Sequence, residues 1–200
     1  MNALAINQGT SGNLSVRIAG GFLITPTGVS YEAMGPSQVV PMGLDGSHGG
    51  DWLPSSEWRL HRDIYAARED AGAVLHAHPG HATALACLGR AIPAFHYMVA
   101  VAGGADIRCA PYATFGTQAL SDRALKALAD RRACLLANHG IVCLGHDLDA
   151  VLALAVEVET LAAQYWRACQ LGRPKLLTKA QMAAVLARFE LYGQQNLPPD

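Results

Sequence analysis

The stretch Ala73-Val74-Leu75-His76-Ala77-His78-Pro79-Gly80 decides how this chain is read. Its apolar start reads as a buried strand, Ala73–Ala77, stopped by Pro79 and Gly80. Residues two apart on a strand project from the same face, so His76 and His78 stand side by side at the end of a rigid element. Two such imidazoles are costly to bury without partners and well suited to a transition metal. A third histidine, His139, lies in Ala137-Asn138-His139-Gly140, at the end of another apolar strand. Three imidazoles and one open position make the donor set of a catalytic zinc ion. A strand-end histidine alone is more often structural, and spacing does not say that His139 reaches the other two. His48, His61 and His146 read as structural, His81 and His96 as structural or supporting.

Outward from that strand, Asn13–Arg17 and Gly21–Thr25 form a hairpin turning at Ala19-Gly20-Gly21. Ser55 or Ser56 caps a helix that runs to about Glu69, with the apolar stripe Leu60, Ile64, Ala67 and Ala71. The Gly-rich stretch Met42–Asp51 reads as a surface loop. A short helix His81–Leu88 and a strand Ile107–Cys109 come next. Ser121 caps a helix to Ala129, and Cys134–Ala137 and Ile141–Leu144 are strands. A long helix, Leu148–Cys169, carries Val151, Leu154, Val158, Leu161, Tyr165 and Ala168 on one face; Gly172 and Pro174 end it. A last helix spans Thr178–Leu191. Early hairpins among mixed elements argue against a purely parallel sheet. The expected fold is α/β, a three-layer α/β/α sandwich with a mostly antiparallel central sheet, as one domain over residues 1–200.

Hydrophobic residues form 51% of the chain, enough for a globular core. The formal net charge of −1 excludes a broad basic face for nucleic acid. No apolar run reaches the roughly 18–20 residues of a membrane span, and no basic-then-apolar leader opens the sequence. The five cysteines are odd in number and lack a C-x-x-C pair. They read as reduced, mostly buried thiols of a cytoplasmic protein.

Glu57 falls in the first turn of a helix, where it serves either as a partner of the helix dipole or as a base beside a metal. Three small, hydroxyl-bearing turns precede it or adjoin it: Gly9-Thr10-Ser11-Gly12-Asn13, Thr25-Pro26-Thr27-Gly28 and Pro54-Ser55-Ser56. None is a dinucleotide fingerprint or a Walker loop. Each alone is an ordinary turn or cap. Together they make a phosphate pocket without a lysine, aided by a helix N-terminus.

The segments Asn7-Gln8-Gly9-Thr10-Ser11-Gly12-Asn13-Leu14-Ser15, Ile24-Thr25-Pro26-Thr27-Gly28, Pro54-Ser55-Ser56-Glu57-Trp58, His76-Ala77-His78-Pro79, His96-Tyr97-Met98 and Asn138-His139-Gly140 occur in one order across nearly the whole chain. In this the chain resembles the class II aldolase/adducin family. The resemblance implies one Zn2+ per subunit on His76, His78 and His139, with Glu57 as acid/base carboxylate and resting-state ligand. It implies phosphate binding by Thr10, Asn13, Thr27, Gly28, Ser55 and Ser56. It assigns Tyr97, from an adjacent subunit of a homotetramer, to protonation of the aldehyde oxygen, and places Phe115 and Tyr192 at the aldehyde end. Only six residues precede Asn7, so the expectation is that the helix relatives carry there is shortened or absent, or that the start codon is placed late.

The implied reaction is reversible cleavage of a ketose 1-phosphate, such as L-fuculose 1-phosphate, to dihydroxyacetone phosphate and a small aldehyde. Alternatives on the same scaffold are cleavage of a 5-deoxypentulose or methylthiopentulose 1-phosphate, 4-epimerisation of a pentulose phosphate, dehydration or decarboxylation. Resembling epimerases carry Asp in place of Glu57 and lack the His96-Tyr97-Met98 segment, which favours an aldolase. A binding module like the adducin heads, which lose the metal ligands, is the reading from a different class.

Overall fold

The computed structural model describes residues 1–189. Seven strands form one sheet in the order β3-β2-β1-β4-β7-β6-β5. They are β1 (Asn13–Ile18), β2 (Gly21–Ile24), β3 (Val40–Gly43), β4 (Ala73–Ala77), β5 (Arg108–Ala110), β6 (Ala133–Leu136) and β7 (Gly140–Gly145). Every pairing is antiparallel except β5 with β6 at one edge. The helices are α1 (Trp58–Ala67), α2 (Gly80–Cys87), α3 (Gln118–Ala127), α4 (Leu148–Leu171) and α5 (Lys179–Phe189). A single 3-10 turn, Asn2–Leu4, stands before Asn7.

The central strand β4 is buried at every position, and its alternation divides the core in two. Ala73, Leu75 and Ala77 point to the face covered by α2 and α4, where they meet Leu85, Val151, Val158 and Leu161. Val74 points to the other face, among Leu60, Ile64, Tyr65 and Leu120 of α1 and α3. These are the three layers expected. His76 and His78 share the parity of Val74 and therefore lie on the α1 side.

The structure departs from the expected elements in several places. Val40–Gly43 pairs with β2, with Met42 buried, so the first two residues of the expected Gly-rich loop, Met42 and Gly43, belong to a strand. Pro41 is tolerated there because β3 is the edge of the sheet. Neither Ser55 nor Ser56 caps α1; Glu57 holds the N-cap position, and Ser55 Oγ accepts from the Glu57 backbone N–H at 3.3 Å. The buried stripe of α1 is Leu60, His61, Ile64 and Tyr65, while Ala67 is exposed and Ala71 lies past the helix end. Thr117, not Ser121, caps α3; Ser121 Oγ donates instead to Asp63 at 2.6 Å. Of the five unpaired cysteines only Cys134 and Cys143 are buried.

Leu75 is fully buried at the centre of the sheet. Leu75→Ala should lower the unfolding free energy by about 2–5 kcal/mol in urea denaturation. Leu171→Ala, at a side chain 92% exposed, should change it by less than about 0.5 kcal/mol.

Candidate metal centre and substrate cleft

Two strand ends and one helix start build the centre. β4 delivers His76 and His78, two residues apart. The β6–β7 turn delivers His139, next to Asn138, whose positive φ of 55° makes the tight reversal. Gly140 then lets β7 approach β4: a Cβ there would collide with the Ala77 carbonyl oxygen and the His78 ring. The start of α1 delivers Glu57.

One ring nitrogen from each of His76, His78 and His139 lies within 4.8 Å of the others, and the ring centroids are 4.6–5.0 Å apart. Glu57 Oε2 lies 3.0 Å from His76 Nε2, and Oε1 lies 3.5 Å from His139 Nε2. His76 Nδ1 donates to the Ile141 carbonyl at 2.8 Å, so Nε2 is the nitrogen turned to the centre. Glu57 Oε1 is a buried oxygen without a hydrogen-bond donor. An orphaned carboxylate oxygen facing three convergent imidazoles is the chemistry of a divalent-cation site.

The electrostatics agree. Burial, then the neighbouring His76, pushes the pKa values of both His78 and His139 down to about 4, so both rings are neutral donors at neutral pH. Burial opposes ionisation of Glu57 as well, but His76, His139 and the Asn13 amide outweigh it and hold the carboxyl far below its usual range. Burial likewise opposes charge on His76, yet the Glu57 carboxylate raises its pKa overall.

A cleft of about 330 Å³ opens beside Glu57, His78 and His139. The three hydroxyl-bearing turns meet there. Thr10, Asn13, Thr27, Gly28, Ser55 and Ser56 all line it. The second and third turns are stitched together by Ser55 N–H to the Thr25 carbonyl at 3.1 Å and Thr27 N–H to the Leu53 carbonyl at 3.1 Å. Among the described residues, no lysine or arginine lines the cleft. Asn13 is more committed than a phosphate ligand alone: its Nδ2 donates to Glu57 Oε2 at 3.1 Å, and its Oδ1 meets His61 Nε2 at 2.5 Å.

Phe115 lines the cleft, 63% exposed at its mouth. Tyr112 and Asn138 line it too, and sequence reasoning misses both. Tyr112 lies three residues from Phe115, the one available signal. Tyr97 is elsewhere: it is 51% exposed on a 3-10 turn, Tyr97–Ala102, packed beside His96 and outside its own chain's cleft. Tyr192 lies outside the described residues. His81 supports the turn after His78, with Nδ1 2.8 Å from Glu159 Oε1. No described helix is long and apolar enough to cross a membrane.

Known proteins resemble this chain over nearly its whole length. The profile of the class II aldolase and adducin N-terminal domain matches residues 1–166. A 5-methylthioribulose-1-phosphate/5-deoxyribulose-1-phosphate aldolase of Rhodospirillum rubrum is 53% identical over 199 residues, covering 100% of this chain and 90% of that protein. L-fuculose phosphate aldolase of Escherichia coli is 48% identical over 194 residues, covering 96% and 90%. A solved L-fuculose 1-phosphate aldolase superposes with a TM-score of 0.90 at 42% identity, covering 92% of this chain and 88% of that one. The chain belongs to the class II aldolase and adducin family, and within it is a class II aldolase, an aldehyde-lyase.

In the metal-free protein His78, His139 and His61, the last held near 3 chiefly by burial, all have folded pKa values below 6.5. The unfolded chain therefore binds protons first as pH falls, while His76 opposes this. The unfolding free energy should drop as pH is lowered from about 6.5 towards about 4, measured by chemical denaturation in chelator. A flat or rising profile over that window would contradict the assignment.

Proposed function

We propose that this aldolase reversibly cleaves a ketose 1-phosphate to dihydroxyacetone phosphate and a small aldehyde. The observation that carries the reading is the convergence of His76, His78, His139 and Glu57 beside a cleft that three hydroxyl-bearing turns also line. Zn2+ suits a donor set of three neutral imidazoles and a carboxylate. When bound, it supplies positive charge against the electron pair left by the broken carbon–carbon bond.

The chain's own groups do the rest. Thr10, Asn13, Thr27, Gly28, Ser55 and Ser56 hold the phosphate by hydroxyl and amide donors, and this non-reacting end orients the reacting carbons. Glu57, beside the three histidines, moves the proton at the carbon that parts from the aldehyde. Tyr97, exposed and outside its own cleft, serves a neighbouring subunit's cleft in a homotetramer, taking the hydroxyl proton in cleavage and returning it in synthesis. Phe115 with Tyr112 offers apolar rings to the aldehyde end, and Tyr192 completes it. Residues 1–200 work as one domain, and the five unpaired thiols fit the cytoplasm.

The substrates named for the relatives, L-fuculose 1-phosphate and the 5-deoxy- and 5-methylthio-ribulose 1-phosphates, share a terminal carbon without a free hydroxyl. The exposed Tyr112 and Phe115 rings suit such an apolar end. The substrate class is therefore a deoxy- or thio-substituted ketose 1-phosphate.

The test monitors dihydroxyacetone phosphate release from these three compounds with excess zinc. Cleavage of at least one, with the unphosphorylated sugar at least about a hundredfold poorer in kcat/KM, is expected. No release from any of them would overturn the reading. Glu57→Gln should cut kcat by about 10²–10⁴; near-normal turnover with zinc bound would remove Glu57 from proton transfer. His76→Ala should lose most of its bound metal by elemental analysis, and unchanged metal content would refute the ligand set.

A further inference from the structure

Helix α1 and strand β1 carry a buried polar ladder of which the mechanism above uses only Glu57 and Asn13. α1 and its N-cap present Glu57, His61 and Tyr65, four residues apart, along one stripe. β1 presents Asn13 and Ser15, two residues apart, on one face. Four residues of helix rise about 6 Å and two of strand about 6.8 Å, so the two rows interleave. Glu57 Oε2 meets Asn13 Nδ2 at 3.1 Å, Asn13 Oδ1 meets His61 Nε2 at 2.5 Å, His61 Nδ1 meets Ser15 Oγ at 2.6 Å, and Ser15 Oγ meets Tyr65 Oη at 2.7 Å. All five residues are at most 6% exposed.

The chemistry at one end settles every proton in the ladder. An ionised carboxylate only accepts, so Asn13 must donate through Nδ2 and offer Oδ1. His61 must then donate from Nε2, which leaves Nδ1 as an acceptor in the neutral ring. Ser15 donates to Nδ1, and Tyr65 donates to Ser15. The donors all run toward Glu57. A reversed proton on His61 would set two acceptors, Nε2 and Oδ1, against each other at 2.5 Å. Burial of the imidazole keeps it neutral, as the ladder requires.

We infer that His61 is a positioning residue for the reaction: it locks the Asn13 amide, and through it the rotamer of the Glu57 carboxylate. The assignment rests on the role of Glu57 as the proton-transfer group. Without the Nε2–H donor, the Asn13 amide is free to turn over and present its oxygen to the carboxylate. Side chains that hold a reacting group through one intermediary typically matter by about 10- to 100-fold.

Two measurements decide this. Nitrogen-15 histidine NMR of the wild-type, zinc-loaded protein should show His61 as the neutral Nε2–H tautomer from about pH 6 to about pH 9. The Nδ1–H tautomer or an imidazolium would overturn the inference. In kinetics, His61→Phe should lower kcat by about 10- to 100-fold, with zinc content intact and a smaller change in KM through the phosphate contact of Asn13. His61→Gln, whose side-chain nitrogen reaches the place of Nε2, should recover to within about threefold of wild type. A merely structural histidine would lower the melting temperature in both variants without separating kcat from KM, and equal kcat losses in the two would count against positioning. Should His61→Phe fail to fold, Ser15→Ala cuts the same ladder more gently and should cost about fivefold in kcat, the size of one hydrogen bond; no loss would overturn the proposal. Glu57→Gln is the comparator. If it is inactive while His61→Phe turns over normally, this inference alone fails. If Glu57→Gln is itself near normal, the proton-transfer reading fails and the inference with it.

Discussion

An imidazole with no access to water, His76, sits on the middle strand of the sheet. A buried polar ring must find a partner for each nitrogen, and the antiparallel frame supplies them. β7 lies beside β4 with His76 opposite Val142, which puts the Ile141 carbonyl under Nδ1. β1 lies on the other side with Asn13 opposite His76, so the residue that grips Glu57 is a strand neighbour of the first histidine. Nε2 then has one direction left, into the space shared by His78, His139 and Glu57. A shift of either neighbour by one residue would turn Asn13 or the β7 start to the opposite face and dissolve the centre.

The phosphate proposed for the cleft beside that centre would meet no basic side chain among the described lining residues. The cleft's lining offers hydroxyls, amides and the start of α1. Glu57 adds a negative charge of its own. Neutral donors can orient a phosphate, but they cannot offset its charge together with a developing carbanion in a partly enclosed site. In the reaction proposed above, that positive charge is supplied by the cation held at the histidines. The same cation would relieve the orphaned Glu57 oxygen. On that proposal, substrate binding and metal binding form one electrostatic arrangement.

Legibility varies with how local the cause is. β4 is readable to the residue because an apolar run between Gly72 and Pro79 has no other use. α4 is readable because its face repeats over many turns. β3 escapes detection because Pro41 and Gly43 are poor strand residues and only its edge position makes them acceptable. Ser55 and Ser121 look like caps by type, but Glu57 and Thr117 take those positions; Thr117 is an equally good capping type, its side chain accepting from the Leu120 N–H, while Ser55 Oγ accepts from the Glu57 N–H. His61 reads as merely structural although its spacing of four from Glu57 is visible; the strand row facing it is not.

By itself the sequence determined the features that short periods and stiff punctuation dictate: two histidines on one strand face, a third at a strand end, three hydroxyl-bearing turns, and the layers that the apolar patterns demand. Those are consequences of backbone geometry, which neighbouring residues control. Tertiary structure alone decided which groups meet. It placed Asn13 on Glu57, ran the ladder down to Tyr65, and left Tyr97 outside its own chain's cleft. Contacts between residues 44 or more apart in sequence, such as Asn13 with Glu57 and Ser15 with Tyr65, depend on the register of β1 and the docking of α1. No local rule carries that information, because packing fixes register and docking across the whole core at once.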